Sequence, residues 1–146
     1  MHQLTFTFVF LFSAGVLFGQ GKHMDTKNGY AVSGYDVVAY FQGKAVEGIK
    51  EKFSHKHDGV YYAFGTLENL NAFKANPFKY IPQYGGHCSY AMATRNKKVS
   101  ADPEVFEIRD GKLHLFYRAK GLKNWLKEGP EKLRAKADAN WAKMIQ

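Results

Sequence analysis

The chain has 146 residues, a net charge of +8 and an aromatic content of 16%, nine of these residues being Tyr. Those values fit one globular domain with a tyrosine-rich core and exclude a disordered or low-complexity chain. Cys88 is the only cysteine, which excludes an internal disulfide framework and a cysteine-only zinc site.

Residues 4 to 18 are apolar and uncharged, and Gly19-Gln20-Gly21 follows with small and polar residues. The run is short for a membrane span and reads as the core of a secretory signal peptide over residues 1–20, although Met1-His2-Gln3 brings no Lys or Arg. An uncleaved anchor is the other reading. Cleavage after Gly19 suits the small-residue preference. Cleavage after Gln20 would leave Gly21-Lys22-His23, whose α-amine, amide nitrogens and imidazole can hold Cu(II) in a square plane. Export implies a periplasmic or secreted protein in an oxidising compartment, where a lone thiol is buried, reactive or metal-bound.

Residues 21–34 read as a polar N-terminal arm, and residues 35–146 as the folded domain. Asp36 is placed to cap a turn leading into Val37-Val38-Ala39-Tyr40-Phe41. Asp58-Gly59 lies between two alternating runs, as does Asp110-Gly111, and each predicts a β-hairpin. Phe53, His55 and His57 then share one strand face, while His114 opposes Leu113 and Leu115. Thr66 opens a helix from about Leu67 to Ala75, with Leu67, Leu70 and Phe73 at helical spacing, and Asn76-Pro77 ends it. Pro130 suits a first helical position. Leu133, Ala137, Trp141 and Ile145 then recur every four residues, an apolar stripe on a C-terminal amphipathic helix. From Arg118 onward there are eight basic and three acidic residues, so this helical part carries much of the positive charge.

The chemistry concentrates in Tyr84-Gly85-Gly86-His87-Cys88-Ser89-Tyr90-Ala91-Met92. If Gly85-Gly86 turns the chain and Cys88 enters the first turn of a helix, unpaired N–H groups point near the sulfur and favour a thiolate. Cys88 and Met92 share a helix face, and two soft sulfurs beside an imidazole suit Cu(I). The ordinary reading is a small buried Cys88 and a gap-filling Met92. Ser89 has no evident base and acid partners for hydrolytic chemistry, and Tyr84-Gly85-Gly86 lacks the Lys-Ser/Thr of a phosphate loop.

Three segments together resemble the YHS domain family: Asp36 to Phe41, Val60 to Phe64, and Phe73-Lys74-Ala75-Asn76-Pro77-Phe78-Lys79-Tyr80. The flanks, Tyr84 to Cys88 and Ala137 to Trp141, resemble an exported bacterial subgroup of that family. In some relatives of the subgroup a selenocysteine is encoded, which implies redox or soft-metal chemistry at a chalcogen. The resemblance also implies metal binding through cysteines, but this chain departs from that pattern. The opening cysteine is replaced near Ala39, and the Cys-x-x-x-Cys pair falls at Gly65 and Asn69.

These readings predict a small single α+β domain with two β-hairpins, short helices and a C-terminal helical extension. It is expected to be exported and not an enzyme in the usual sense. The leading function is binding or handling of a soft metal ion, most plausibly copper as Cu(I), with ligands among Cys88, His87, Met92, His114, His55 and His57. His55 and His57 also read as surface residues, and His114 as a hydrogen-bonded sheet histidine. One alternative is thiol redox chemistry at Cys88 with a resolving thiol from a partner. The other is an interaction domain whose basic C-terminal helix meets a protein partner or an anionic surface. Nucleic acid is not an expected partner of an exported protein.

Overall fold

A computed structural model describes residues 20–146; the apolar leader at 4–18 lies outside the described residues. The fold is α+β, as expected. Strands β1 (Thr26–Lys27), β2 (Tyr30–Ala31), β3 (Ser54–His57) and β4 (Val60–Ala63) form a sheet in the order β1-β2-β4-β3. Strands β5 (Asp102–Arg109) and β6 (Lys112–Phe116) form a separate antiparallel hairpin. The helices are α1 (Leu67–Ala75), α2 (Pro77–Tyr80), α3 (Ser89–Arg95), α4 (Ala119–Glu128) and α5 (Pro130–Met144). None of the described helices is long and apolar enough to cross a membrane.

Both Asp-Gly signals produce the hairpins they predict. Asp58 and Gly59 have φ of 48° and 78°, and Asp110 and Gly111 have φ of 50° and 72°, the left-handed pair that matches strand twist in a two-residue turn. A third pair, Asn28 and Gly29, has φ of 54° and 82° and joins β1 to β2. Residues 21–34 are therefore built into the fold, which corrects the reading of a flexible polar arm. Tyr30 pairs in parallel with Tyr61, its hydroxyl meets Ser54 Oγ at 3.0 Å, and Asp25 N–H donates to Gly85 O at 2.7 Å.

The buried side chains form two clusters. One gathers Val37, Tyr40, Tyr62, Phe64, Phe73, Leu113 and Leu115 among others. The second gathers Tyr84, Cys88, Met92, Phe116, Trp125, Leu133, Ala137 and Trp141. Strand β6 stands between them: Leu113 and Leu115 join the first cluster, and Phe116 joins the second. His114, of the same parity as Phe116, packs its ring 5.2 Å from that of Trp125. On α5, Leu133, Ala137 and Trp141 are buried as their spacing predicts, while Ile145 lies just past the helix. On α1, Phe73 is buried, but Leu67 is exposed and Asn69 takes the inward place.

Asn69 turns inward because of Asp36, which is fully buried. One carboxylate oxygen accepts from Val38 N–H at 2.9 Å and Ala39 N–H at 3.2 Å. The other accepts from Gly65 N–H at 2.9 Å and Asn69 Nδ2 at 2.8 Å. A buried carboxylate is tolerable only when so supplied with donors. Asp36→Ala leaves these donors unpaired and is expected to cost roughly 3 kcal/mol or more, with Asp36→Asn costing less; urea unfolding midpoints of the two variants check the order.

Candidate functional site

The six residues singled out for metal binding do not meet at one point. Among the described residues, no group of three or more His, Cys, Asp and Glu side chains is arranged to hold a metal ion. His55 and His57 lie on β3, where alternation puts both rings against Phe73, at 6.1 and 5.9 Å between centroids. His57 also meets Phe78 at 5.7 Å. Burial, followed by the charge of Lys74, lowers the pKa of His55.

Cys88 is the N-cap of α3, one step outside the first turn in which the sequence placed it. Its N–H donates to Val99 O at 2.8 Å, and its carbonyl accepts from Met92 N–H at 3.0 Å. Met92 is sealed within the second cluster and Cys88 is 3% exposed, so both are core side chains by position. Gly121 of α4 is part of the cover over the sulfur. A Cβ at Gly121 on α4 would lie 4.0 Å from Cys88 Sγ and 3.9 Å from the Cβ atoms of Tyr90 and Phe116, ordinary contact distances. Gly121→Ala therefore fits and thickens that cover. Native Cys88 is expected to react with an aromatic disulfide reagent far more slowly than in the unfolded chain, and Gly121→Ala to slow it further, as timed thiol titrations would show.

His114 is fully buried, with Nδ1 2.9 Å from Ser89 Oγ and Nε2 without a hydrogen-bond partner. Its ring lies between those of Tyr84, at 5.8 Å, and Trp125, at 5.2 Å. Ser89 thus has the histidine neighbour that its sequence context did not reveal. Both side chains are closed to solvent, so the pair has no route to a substrate and is a hydrogen bond within the core.

Burial pushes the His114 imidazole down to about 4, with Glu107 opposing the shift and Arg134 adding to it. Above its ordinary value of 6.5 the ring is neutral in both folded and unfolded chains. As the pH falls from about 6.5 towards about 4, the unfolded chain binds a proton that the folded chain refuses. Stability is therefore expected to fall by roughly 3 kcal/mol across that window. His114→Gln should flatten the slope in urea midpoints measured at about pH 7 and about pH 4.

His87 takes a different direction from its neighbour Cys88. Its Nδ1 lies 2.8 Å from Tyr84 O, and its ring packs 6.2 Å from Trp141. Since a carbonyl can only accept, Nδ1 carries the proton and Nε2 is left with the lone pair suited to a metal. On the same indole, 6.0 Å away and edge-on, is His23. The Nε2 of His23 is shut from solvent without a partner, and its pKa is lowered by burial first, then by Lys98, Lys22 and His87.

Gly85 permits this approach. Its φ is +60°, and a Cβ there would come within 2.5 Å of His23 O and 3.0 Å of Trp141. Met24 completes the corner, its sulfur 3.8 Å from where a Cβ of Gly86 would lie. Lys98 covers it: its Nζ is 3.0 Å from His23 Nδ1 and 5.6 Å from the centre of the Trp141 ring. Sequence reasoning noticed His23 only as part of an amino-terminal Cu(II) motif. That it shares the Trp141 indole with His87 is a tertiary arrangement that no local spacing announces.

The positions at which the resemblance would place cysteines also come together. Ala39, Gly65 and Asn69 each donate to the Asp36 carboxylate. Comparison of the chain with family models, with curated proteins and with solved structures finds no match.

Proposed function

We propose that the protein is an exported YHS-like binding domain that handles a soft metal ion, copper as Cu(I) first, in the periplasm, and that it is not an enzyme. The ligands in this reading are His87, His23 and Met24 beside Trp141, instead of the Cys88 set. The observation that carries it is the pair of imidazoles on one indole, one with Nδ1 tied to a carbonyl and the other with a buried, unpartnered nitrogen. Imidazole and thioether donors suit Cu(I), and an indole ring can lie against a cation.

Lys98 occupies the corner, and an ammonium can only donate. His23 Nδ1 therefore accepts, and its proton sits on Nε2. A metal ion would have to displace the ammonium from Nδ1, or take Nε2 while the ring proton moves to Nδ1, and either way the Lys98 contact is lost.

An anaerobic Cu(I) titration of the mature, reduced protein against a competing chelator tests the assignment. One ion is expected to bind, with His87→Ala weakening it at least about tenfold, Lys98→Met tightening it, and Cys88→Ser changing little. Unchanged affinity in His87→Ala would sink the imidazole corner, and loss of binding in Cys88→Ser would return the sulfur as the ligand.

A second reading is thiol redox chemistry at Cys88, whose sulfur lies beneath Gly121 of α4. With no other cysteine in the chain, a resolving thiol would have to come from a partner. Opening of α4 would have to precede any attack on the sulfur.

A further inference from the structure

A cavity of about 460 Å³ opens beside Trp141, lined among others by Tyr62, Phe78, Tyr84 and Trp141 and by Asp58 and Asp138. Its size is that of a small-molecule site. It brings together the two flanking stretches, Tyr84-Gly85 and Asp138 to Trp141, with the first hairpin turn and the segment at Gln20 and Gly21.

The charge of its wall is opposite to that of the protein. Two carboxylates face one ammonium, Lys112, in a chain of net charge +8. Asp138 is held by the Tyr84 hydroxyl, which donates to Oδ1 at 2.8 Å, leaving Oδ2 for another donor. Burial, then the hydrogen bond to Asp138, raises the Tyr84 phenol's pKa, so Tyr84 is the donor of this pair. Asp58 accepts from Gly21 N–H at 2.9 Å. The aromatic walls offer faces that attract cations as well as apolar contact, as Lys98 over Trp141 already illustrates.

We propose that this cavity binds a small organic ammonium ion with an apolar body, its charged nitrogen at Asp138 and its body against Tyr62, Tyr84 and Trp141. Lys112 at the rim repels such a ligand and limits the affinity. The inference does not depend on metal binding. Met24 and Trp141 line the cavity as well as the metal corner, but Asp138 is no part of the His23, Met24 and His87 set, so Asp138→Asn and His87→Ala tell failure of one from failure of the other.

Three probes of one shape and different charge test it: benzylammonium, benzyl alcohol and benzoate. Each is titrated into the mature protein and followed by calorimetry and by the indole N–H resonance of Trp141. Benzylammonium is expected to bind best and benzoate not at all. Asp138→Asn, which can still accept from Tyr84, should weaken benzylammonium about tenfold, an effect of the size expected from one lost charge partner. Lys112→Gln, a rim substitution that leaves the core intact, should strengthen it. Benzoate binding better than benzylammonium, Lys112→Gln weakening the amine, or none of the three probes binding would each overturn the proposal.

Discussion

The N-terminal half of the molecule is organised by one buried carboxylate. Asp36 accepts from the turn that follows it, from the entrance to α1 and from the side chain of Asn69. These donors belong to segments that would otherwise have little reason to converge. The energetic logic is one of obligation: a charge taken out of water must be given hydrogen bonds, and the chain bends to supply them. Asn69 is secured in turn, since its N–H donates to Thr66 Oγ1 and its carbonyl oxygen accepts from Gln42. The helix, the sheet and the opening turn thus share one set of polar contacts, with Phe64 and Phe73 stacked beside it at 5.1 Å.

That set occupies the ground where the family resemblance would place thiolates. A carboxylate fed by three backbone donors, at Val38, Ala39 and Gly65, and by the Asn69 amide is a closed arrangement. The positions that the resemblance singles out are structural in this chain. The open chemistry lies elsewhere, around Trp141 and Tyr84. There the C-terminal helix meets the Gly85 turn and residues 20–25, and imidazole, thioether, carboxylate and indole come within reach of one another. The lysines of α4 and α5 point outward, solvated, and stay clear of that corner, apart from the separate Lys98 contact.

Local features were legible in the sequence because the chemistry that enforces them is local. Asp-Gly turns, the Thr66 cap, Pro130 and the four-residue repeat of α5 each act within a few residues. The Asn28-Gly29 hairpin carried the same signal, yet its strands are only two residues long and have no alternation to advertise them. The placing of His87 and His23 on one indole and the contact of Ser89 with His114 depend on packing between distant segments, and no spacing rule reaches that far. Cys88 shows the limit most clearly. Its helix and its glycine turn were readable, but whether its sulfur met solvent depended on where α4 would lie, and on Gly121 in that helix.

Strand β6 has a consequence for the order in which the molecule can form. Its leucines complete the first cluster while His114 and Phe116 complete the second, so neither core closes without it. A slip of one residue would exchange leucine for imidazole in both, which fixes the register strongly. The chain must therefore emerge as far as residue 116 before the hairpin of β3 and β4 can be sealed against water. Until then the N-terminal segments are a sheet with an uncovered face. Such a late keystone keeps the chain pliable until β6 is available and commits both halves to fold together afterwards.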